Sequence, residues 1–123
     1  MSGVPGAEWS VRRLSAVVGV AGRWVTVELC GELDAVTARV LVDRVGRVIA
    51  QEVPPRVALL LSGVGFCDSS GINAFVQLSR RAQAAGGELV LVGPGSRLVE
   101  MLRWTGLEGP IRVFEVLAEL PEG

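Results

Sequence analysis

The residues best equipped for chemistry lie in Phe66-Cys67-Asp68-Ser69-Ser70-Gly71, a carboxylate and two hydroxyls set between an apolar run and an amphipathic stretch. Ahead of them, Val57-Ala58-Leu59-Leu60-Leu61 reads as a buried strand. Behind them, Ile72, Phe75, Leu78, Ser79, Ala82 and Ala85 recur at helical spacing. The hydroxyls therefore fall in the first turn of a helix, where unpaired N–H groups and the positive dipole end favour a carboxylate or a phosphate. A serine so placed can cap the helix, act as a nucleophile or accept a phosphoryl group.

Nucleophilic catalysis finds little support elsewhere in the chain. There is no histidine, which excludes a Ser-His-Asp triad and any histidine-bearing metal site. All twelve basic residues are arginines, so no lysine is present as an alternative base. Neither a G-x-x-x-x-G-K-[ST] loop nor a G-x-G-x-x-G fingerprint occurs, and the pattern calls for no cofactor and no metal. An enzyme is the weakest of the function classes. The arginines are scattered, densest at Arg12-Arg13 and Arg80-Arg81, and the formal charge is −1. Nucleic acid is accordingly not the expected partner, because phosphate binding needs a concentrated basic face. No apolar run approaches the roughly 20 residues that span a bilayer, so no membrane association is expected. Cys30 and Cys67 form no C-x-x-C pair. Both read as small buried apolar residues in a reducing cytosol, which makes the expected location cytoplasmic.

The elements that must position the hexapeptide follow from periodicity. Residues 1–8 read as a flexible tail and not a signal peptide, and residues 9–120 as one domain with a single core. Trp9 to Val18 alternates loosely, Gly19-Val20-Ala21-Gly22 reads as a turn, and Trp24 to Leu29 as the second arm of a hairpin. Gly31-Glu32-Leu33-Asp34 reads as a turn whose carboxylate can cap the next element. A helix is predicted from Ala35 to about Ala50, ended by Pro54-Pro55. The second helix is predicted from about Ser69 to Ala85, stopped by Gly86-Gly87. Glu88 to Val92, Arg97 to Trp104, Ile111 to Phe114 and Val116 to Leu120 read as strand, helix, strand and a final helical turn. The order β-β-α-β-α-β-α-β implies an α/β domain with a single, mixed, mostly parallel sheet and helices chiefly on one face. The all-apolar strand at Val57 to Leu61 belongs near the middle of that sheet. The other face would lack helical cover, leaving some apolar residues partly buried.

Two motifs give this pattern a family. Gly31-Glu32-Leu33-Asp34 with Thr37-Ala38 and Leu41 resembles the G-E-L-D-x-x-T-A-x-x-L segment of the STAS family. Leu61-Ser62-Gly63-Val64 with Phe66 and Asp68-Ser69-Ser70-Gly71 is similar to that family's L-S-G-V-x-F-x-D-S-S-G. Gly86-Gly87 before a strand and Thr105-Gly106-Leu107 after the third helix are weaker echoes. The chain most resembles the small stand-alone bacterial anti-sigma factor antagonists. It departs from them at Leu60, where an acidic residue is usual, and at Asn73, where a small one is common.

The resemblance implies a protein switched by phosphorylation. Its partner would be an anti-sigma factor that is also a serine kinase of the histidine-kinase-like ATPase type. The unmodified antagonist binds that partner and frees a sigma factor, and a PP2C-type phosphatase reverses the mark. Carried over by motif, Ser70 is the acceptor, and Gly31, Glu32, Asp34, Asp68, Ser69, Ser70, Gly71 and Asn73 form the partner-binding set. A monomer or weak dimer is expected. The rivals within the same fold are a non-switching, stressosome-like scaffold and an accessory subunit of a lipid-transport ATPase.

Overall fold

The computed structural model describes residues 6–106 and 110–121. The strands β1 (Glu8–Val11), β2 (Leu14–Ala21) and β3 (Trp24–Leu33) form an antiparallel meander. Helix α1 (Ala35–Gln51) leads to β4 (Arg56–Cys67), α2 (Ser69–Ala84) to β5 (Glu88–Val92), and α3 (Ser96–Trp104) to β6 (Val113–Phe114). From β3 onward the strands pair in parallel, giving a six-stranded sheet in the order β1-β2-β3-β4-β5-β6. A 3-10 turn at Leu117–Glu119 follows.

The layers follow from strand alternation. Val27 and Leu29 of β3, Val57, Leu59 and Leu61 of β4, and Leu89 and Leu91 of β5 pack into one cluster with the helices. Those helices contribute Leu41 and Val45 of α1, Phe75 and Leu78 of α2, and Leu102 of α3. Their neighbours along the strands, Trp24, Ala58, Val90 and Val92, point to the other face. There they form a second, smaller cluster with Leu60, Phe114 and Leu120. The cover expected to be missing on that face is partly supplied by the chain's own end. Leu120 packs on the cluster, and the Trp24 indole N–H donates to the carbonyl of Pro121 at 2.9 Å. Leu60, where the resemblance leads one to expect an acid, is a packing residue here.

Several boundaries differ from the sequence reading. The first strand is broken at Arg12-Arg13, with Arg12 at φ 51° and Val11 paired to Leu14, so it becomes β1 and β2. Gly19, Val20 and Ala21 belong to β2, and the turn to β3 is Gly22-Arg23, with Gly22 at φ 59°. Gly31-Glu32-Leu33 is the end of β3 and not a turn, because the ladder to β4 absorbs it through register shifts at Glu28/Cys30 and Gly31/Glu32. For the same reason β4 runs on to Cys67, taking in Ser62 to Phe66. Ile111 lies outside β6 but is buried in the main core. Cys30 is exposed, contrary to expectation, since it shares the outward side of β3 with Glu28. Trp104, the last residue of α3, is 89% exposed. Residues 1–5 of the expected tail lie outside the described residues, as does Leu107 of the Thr105-Gly106-Leu107 echo. Gly6 and Ala7 are hydrogen-bonded to Val18, and Glu8 opens β1.

Candidate functional site

The first motif ends a strand and starts a helix. Asp34 is the N-cap of α1: its Oδ1 accepts from the N–H groups of Val36 at 3.0 Å and Thr37 at 2.9 Å. Thr37 answers it. Its Oγ1 accepts from the Asp34 N–H at 2.8 Å and donates to the Glu32 carbonyl at 2.9 Å, and the side chain is fully buried. This reciprocal cap satisfies orphan donors at the helix start and ties the last residues of β3 to α1. Gly31 is obligatory for a different reason. Its φ is +120°, and a Cβ there would lie 1.8 Å from the Arg13 carbonyl oxygen in the β1–β2 turn.

The second motif repeats the arrangement one strand over. Asp68 caps α2, accepting from the Ser70 N–H at 2.8 Å. Ser69 and Ser70 are thus the first two helical residues, and the cap is the preceding aspartate and not either serine. Gly71 is buried where α2 crosses the strand ends. A Cβ there would fall 2.4 Å from Cys67 Sγ and 3.1 Å from Leu33 Cβ.

The two motifs are fastened to each other. In the parallel β3–β4 ladder Glu32 is opposite Phe66 and Leu33 opposite Cys67, and the Asp68 N–H donates to the Leu33 carbonyl at 3.1 Å. Asp34 and Asp68 therefore follow the carboxyl ends of adjacent parallel strands, the edge of an α/β sheet at which binding sites collect. Of the residues singled out from sequence, Ser69 and Asn73 are exposed, Gly31, Glu32, Asp34, Asp68 and Ser70 are partly exposed, and Gly71 is buried.

Two open clefts flank this rim. One, of about 340 Å³ between α1 and α2, is lined by Ser70, Asn73 and Gln77 of α2 and Arg39 of α1. The other, of about 450 Å³, runs between the end of β4 and the start of α3, with Phe66 and Asp68 on one side and Arg97 and Met101 on the other. Arg39, Gln77 and Phe66 were not among the site residues expected from the sequence, although Phe66 was part of the second motif. A signal existed for the last two. Asn73 and Gln77 stand three and seven residues after Ser70, on its face of the helix. Phe66 is a large apolar residue, 47% exposed, at the head of the hexapeptide that carries the carboxylate and hydroxyls.

The electrostatics agree with the hydrogen bonding. The backbone N–H of Thr37, foremost, holds the Asp34 carboxyl below its ordinary value against a smaller opposing effect of burial; the Thr37 hydroxyl and the Val36 N–H add to it. Burial, reinforced by the charge of Asp68, pushes the Cys67 thiol up to about 12, so it stays protonated and unreactive. Among the described residues no cluster of three or more histidines, cysteines or acids is arranged to hold a metal ion. No described helix is long and apolar enough to cross a membrane.

Comparison with known proteins agrees with this architecture. The family model described as STAS domain matches residues 15–120. The chain is similar to the anti-sigma-B factor antagonist of Bacillus subtilis (strain 168), 29% identical over 89 residues that make up 72% of this chain and 80% of the relative. Among solved structures it is similar to an anti-sigma factor antagonist from Mycobacterium paratuberculosis, with a TM-score of 0.76 and 25% identity over 86% of this chain and 89% of that one. It also shares the fold of the anti-sigma factor antagonist SpoIIAA in its unphosphorylated form, with a TM-score of 0.72 and 21% identity over 85% of this chain and 90% of that one. For the phosphorylated form of SpoIIAA, from Bacillus, the TM-score is 0.65 and the identity 20% over 85% of this chain and 94% of that one. With both motifs on one rim of a matching fold, and the family model spanning most of its length, the chain belongs to the STAS-domain family.

Proposed function

We propose that this protein is an anti-sigma factor antagonist, a binding module and not an enzyme, whose docking is ended by phosphorylation of Ser70. Its partner is a cytoplasmic anti-sigma factor that doubles as a serine kinase, and a PP2C-type phosphatase restores the unmodified form. One observation supports this reading above the others: Ser70 is partly exposed on the rim that joins the two motifs, with its N–H committed to Asp68. Glu32, Asp34, Asp68, Ser69 and Asn73 supply the polar surface around it. Gly31 and Gly71 serve that surface indirectly, by letting the backbones approach.

In the modification step the Ser70 hydroxyl oxygen bonds to the γ-phosphorus of ATP held by the partner. The bond from that phosphorus to the β,γ-bridging oxygen breaks, ADP departs, and the hydroxyl proton passes to a base. The product carries about −1.5 to −2 added charges. Against a partner carboxylate about 6 Å away, at an effective dielectric of about 20, the repulsion is on the order of 5 kcal/mol. Solvent screening lowers it, yet even about 3 kcal/mol changes affinity more than a hundredfold.

The test is to incubate the protein and its Ser70→Ala variant with ATP and each histidine-kinase-like anti-sigma factor of the source genome. Intact mass and peptide mapping then locate any phosphate, and calorimetry compares the binding of both forms. A single phosphate at residue 70 that abolishes binding is expected. Modification elsewhere, or equal affinity of both forms, removes the proposal.

A further inference from the structure

We propose that Arg39 captures the phosphate once Ser70 carries one, laying it along the cleft between α1 and α2. This rests on Ser70 as the acceptor. Ser70, Asn73 and Gln77 of α2 share an open cleft of about 340 Å³ with Arg39 of α1, above the small buried residues Ala38 and Ala74. Arg39 is the one charged side chain in that lining. It is also uncommitted: Asp43, one turn further along α1, is engaged by Arg47 at 3.1 Å, and among the described residues no carboxylate pairs with Arg39. Asp34 and Asp68, the acids of the two helix caps, already accept backbone N–H groups there.

A guanidinium presents donors in a planar fork that matches phosphate oxygens, and the Asn73 and Gln77 amides add neutral donors on the same side. The alanines leave the space between the helices open. Phosphorylation then takes both the Ser70 hydroxyl and the Arg39 cation out of the surface open to a partner, and ties them to each other. The phosphate so held is also less available to a phosphatase.

The experiment uses the full chain with phosphoserine installed at position 70 during translation, so it does not depend on any kinase. Phosphorus-31 NMR follows the second ionisation of the phosphate, about 6 when unperturbed. Pairing with Arg39 is expected to lower it by about half a unit, a threefold change in the ionisation constant, relative to Arg39→Gln. Arg39→Lys should retain part of the shift, and Arg80→Gln, outside the cleft, all of it. The melting temperature should fall in Arg39→Gln only when residue 70 is phosphorylated. Coincident titrations of the wild-type and Arg39→Gln phosphoproteins would overturn the proposal even if a kinase modifies Ser70. A kinase that ignores Ser70 would sink the acceptor assignment and leave the titration readable.

Discussion

Replacing Thr37 by Val removes one hydroxyl and almost no volume, yet it should disturb both the fold and the rim. Thr37 is fully buried, and its Oγ1 accepts from the Asp34 N–H at 2.8 Å while donating to the Glu32 carbonyl at 2.9 Å. Valine leaves a donor and an acceptor without partners, each costing about 1–3 kcal/mol if water cannot reach it. Asp34 and Glu32 are partly exposed, so water recovers some of that loss. The extra methyl offsets a little more, and a net loss of about 2–3 kcal/mol remains. For a chain of 123 residues this corresponds to a fall of about 8–12 °C in Tm. Urea denaturation should show a lower midpoint at an unchanged slope. Thr37→Ser keeps the hydroxyl, loses one buried methyl and should cost only about 1 kcal/mol. Were the valine variant to unfold within about 0.5 kcal/mol of the wild type, or the serine variant to fall as far, the bridge from β3 to α1 would not be what holds this corner.

Gly71→Ala should cost about 1–3 kcal/mol by urea denaturation, because the new Cβ would sit 2.4 Å from Cys67 Sγ and, once the thiol rotates, still 3.1 Å from Leu33 Cβ; an unchanged midpoint would mean that α2 has room at this crossing. The Asp34 carboxyl is held below its unfolded value by the N–H of Thr37, so its contribution is fully present above that value and is lost as pH falls through the folded one. The stability difference between wild type and Asp34→Asn should therefore stay level from neutral pH downward and shrink below about pH 3.8, and a difference independent of pH would contradict this. At pH 8 iodoacetamide should add one label to the native protein, at the exposed Cys30, and a second at Cys67 only after denaturation, since that thiol is pushed up to about 12. Equal labelling of both cysteines in the native state would show that Cys67 is reachable.

The helix starts were legible because capping is local: an aspartate ahead of a periodic apolar run marks a boundary within a few residues, and Asp34 and Asp68 fulfil that. The order of strand and helix patterns likewise announced a mostly parallel sheet with helices on one face, and the all-apolar run Val57 to Leu61 its central strand. Where the strands stop was not legible. Gly31, with its positive φ, carries the signature of a turn, but it lies in a ladder that continues through two register shifts as far as Leu33 and Cys67. The exposure of Cys30 follows from which side of β3 it occupies, and residue type alone says nothing about that. The use of Leu120 and Pro121 to close the second face is a contact with Trp24 across nearly the whole chain, outside the reach of any local window. The cleft holding Arg39 and Ser70 depends on how α1 and α2 lie together, which neither helix's own pattern specifies.

A charge switch on this rim need not move the scaffold, and the reason lies in how the two motifs divide their work. The bonds that hold the corner run through Thr37 Oγ1, the carboxylates of Asp34 and Asp68, and the backbone groups of Glu32, Leu33 and Ser70. Ser70 enters that scheme through its N–H, which esterification of the hydroxyl leaves intact. The added charge also arrives in the first turn of α2, where the helix dipole favours it by about 0.3–1 kcal/mol. Folding would therefore lose nothing by the proposed modification, while a partner carboxylate docked here would face a repulsion reduced by solvent screening and by any pairing of the phosphate with Arg39. It follows that phosphoserine at 70 should leave the melting temperature equal to or above that of the unmodified chain. A destabilised phosphoprotein would mean that the hydroxyl itself carries part of the fold, and that release of the partner comes from loosening α2 and not from charge.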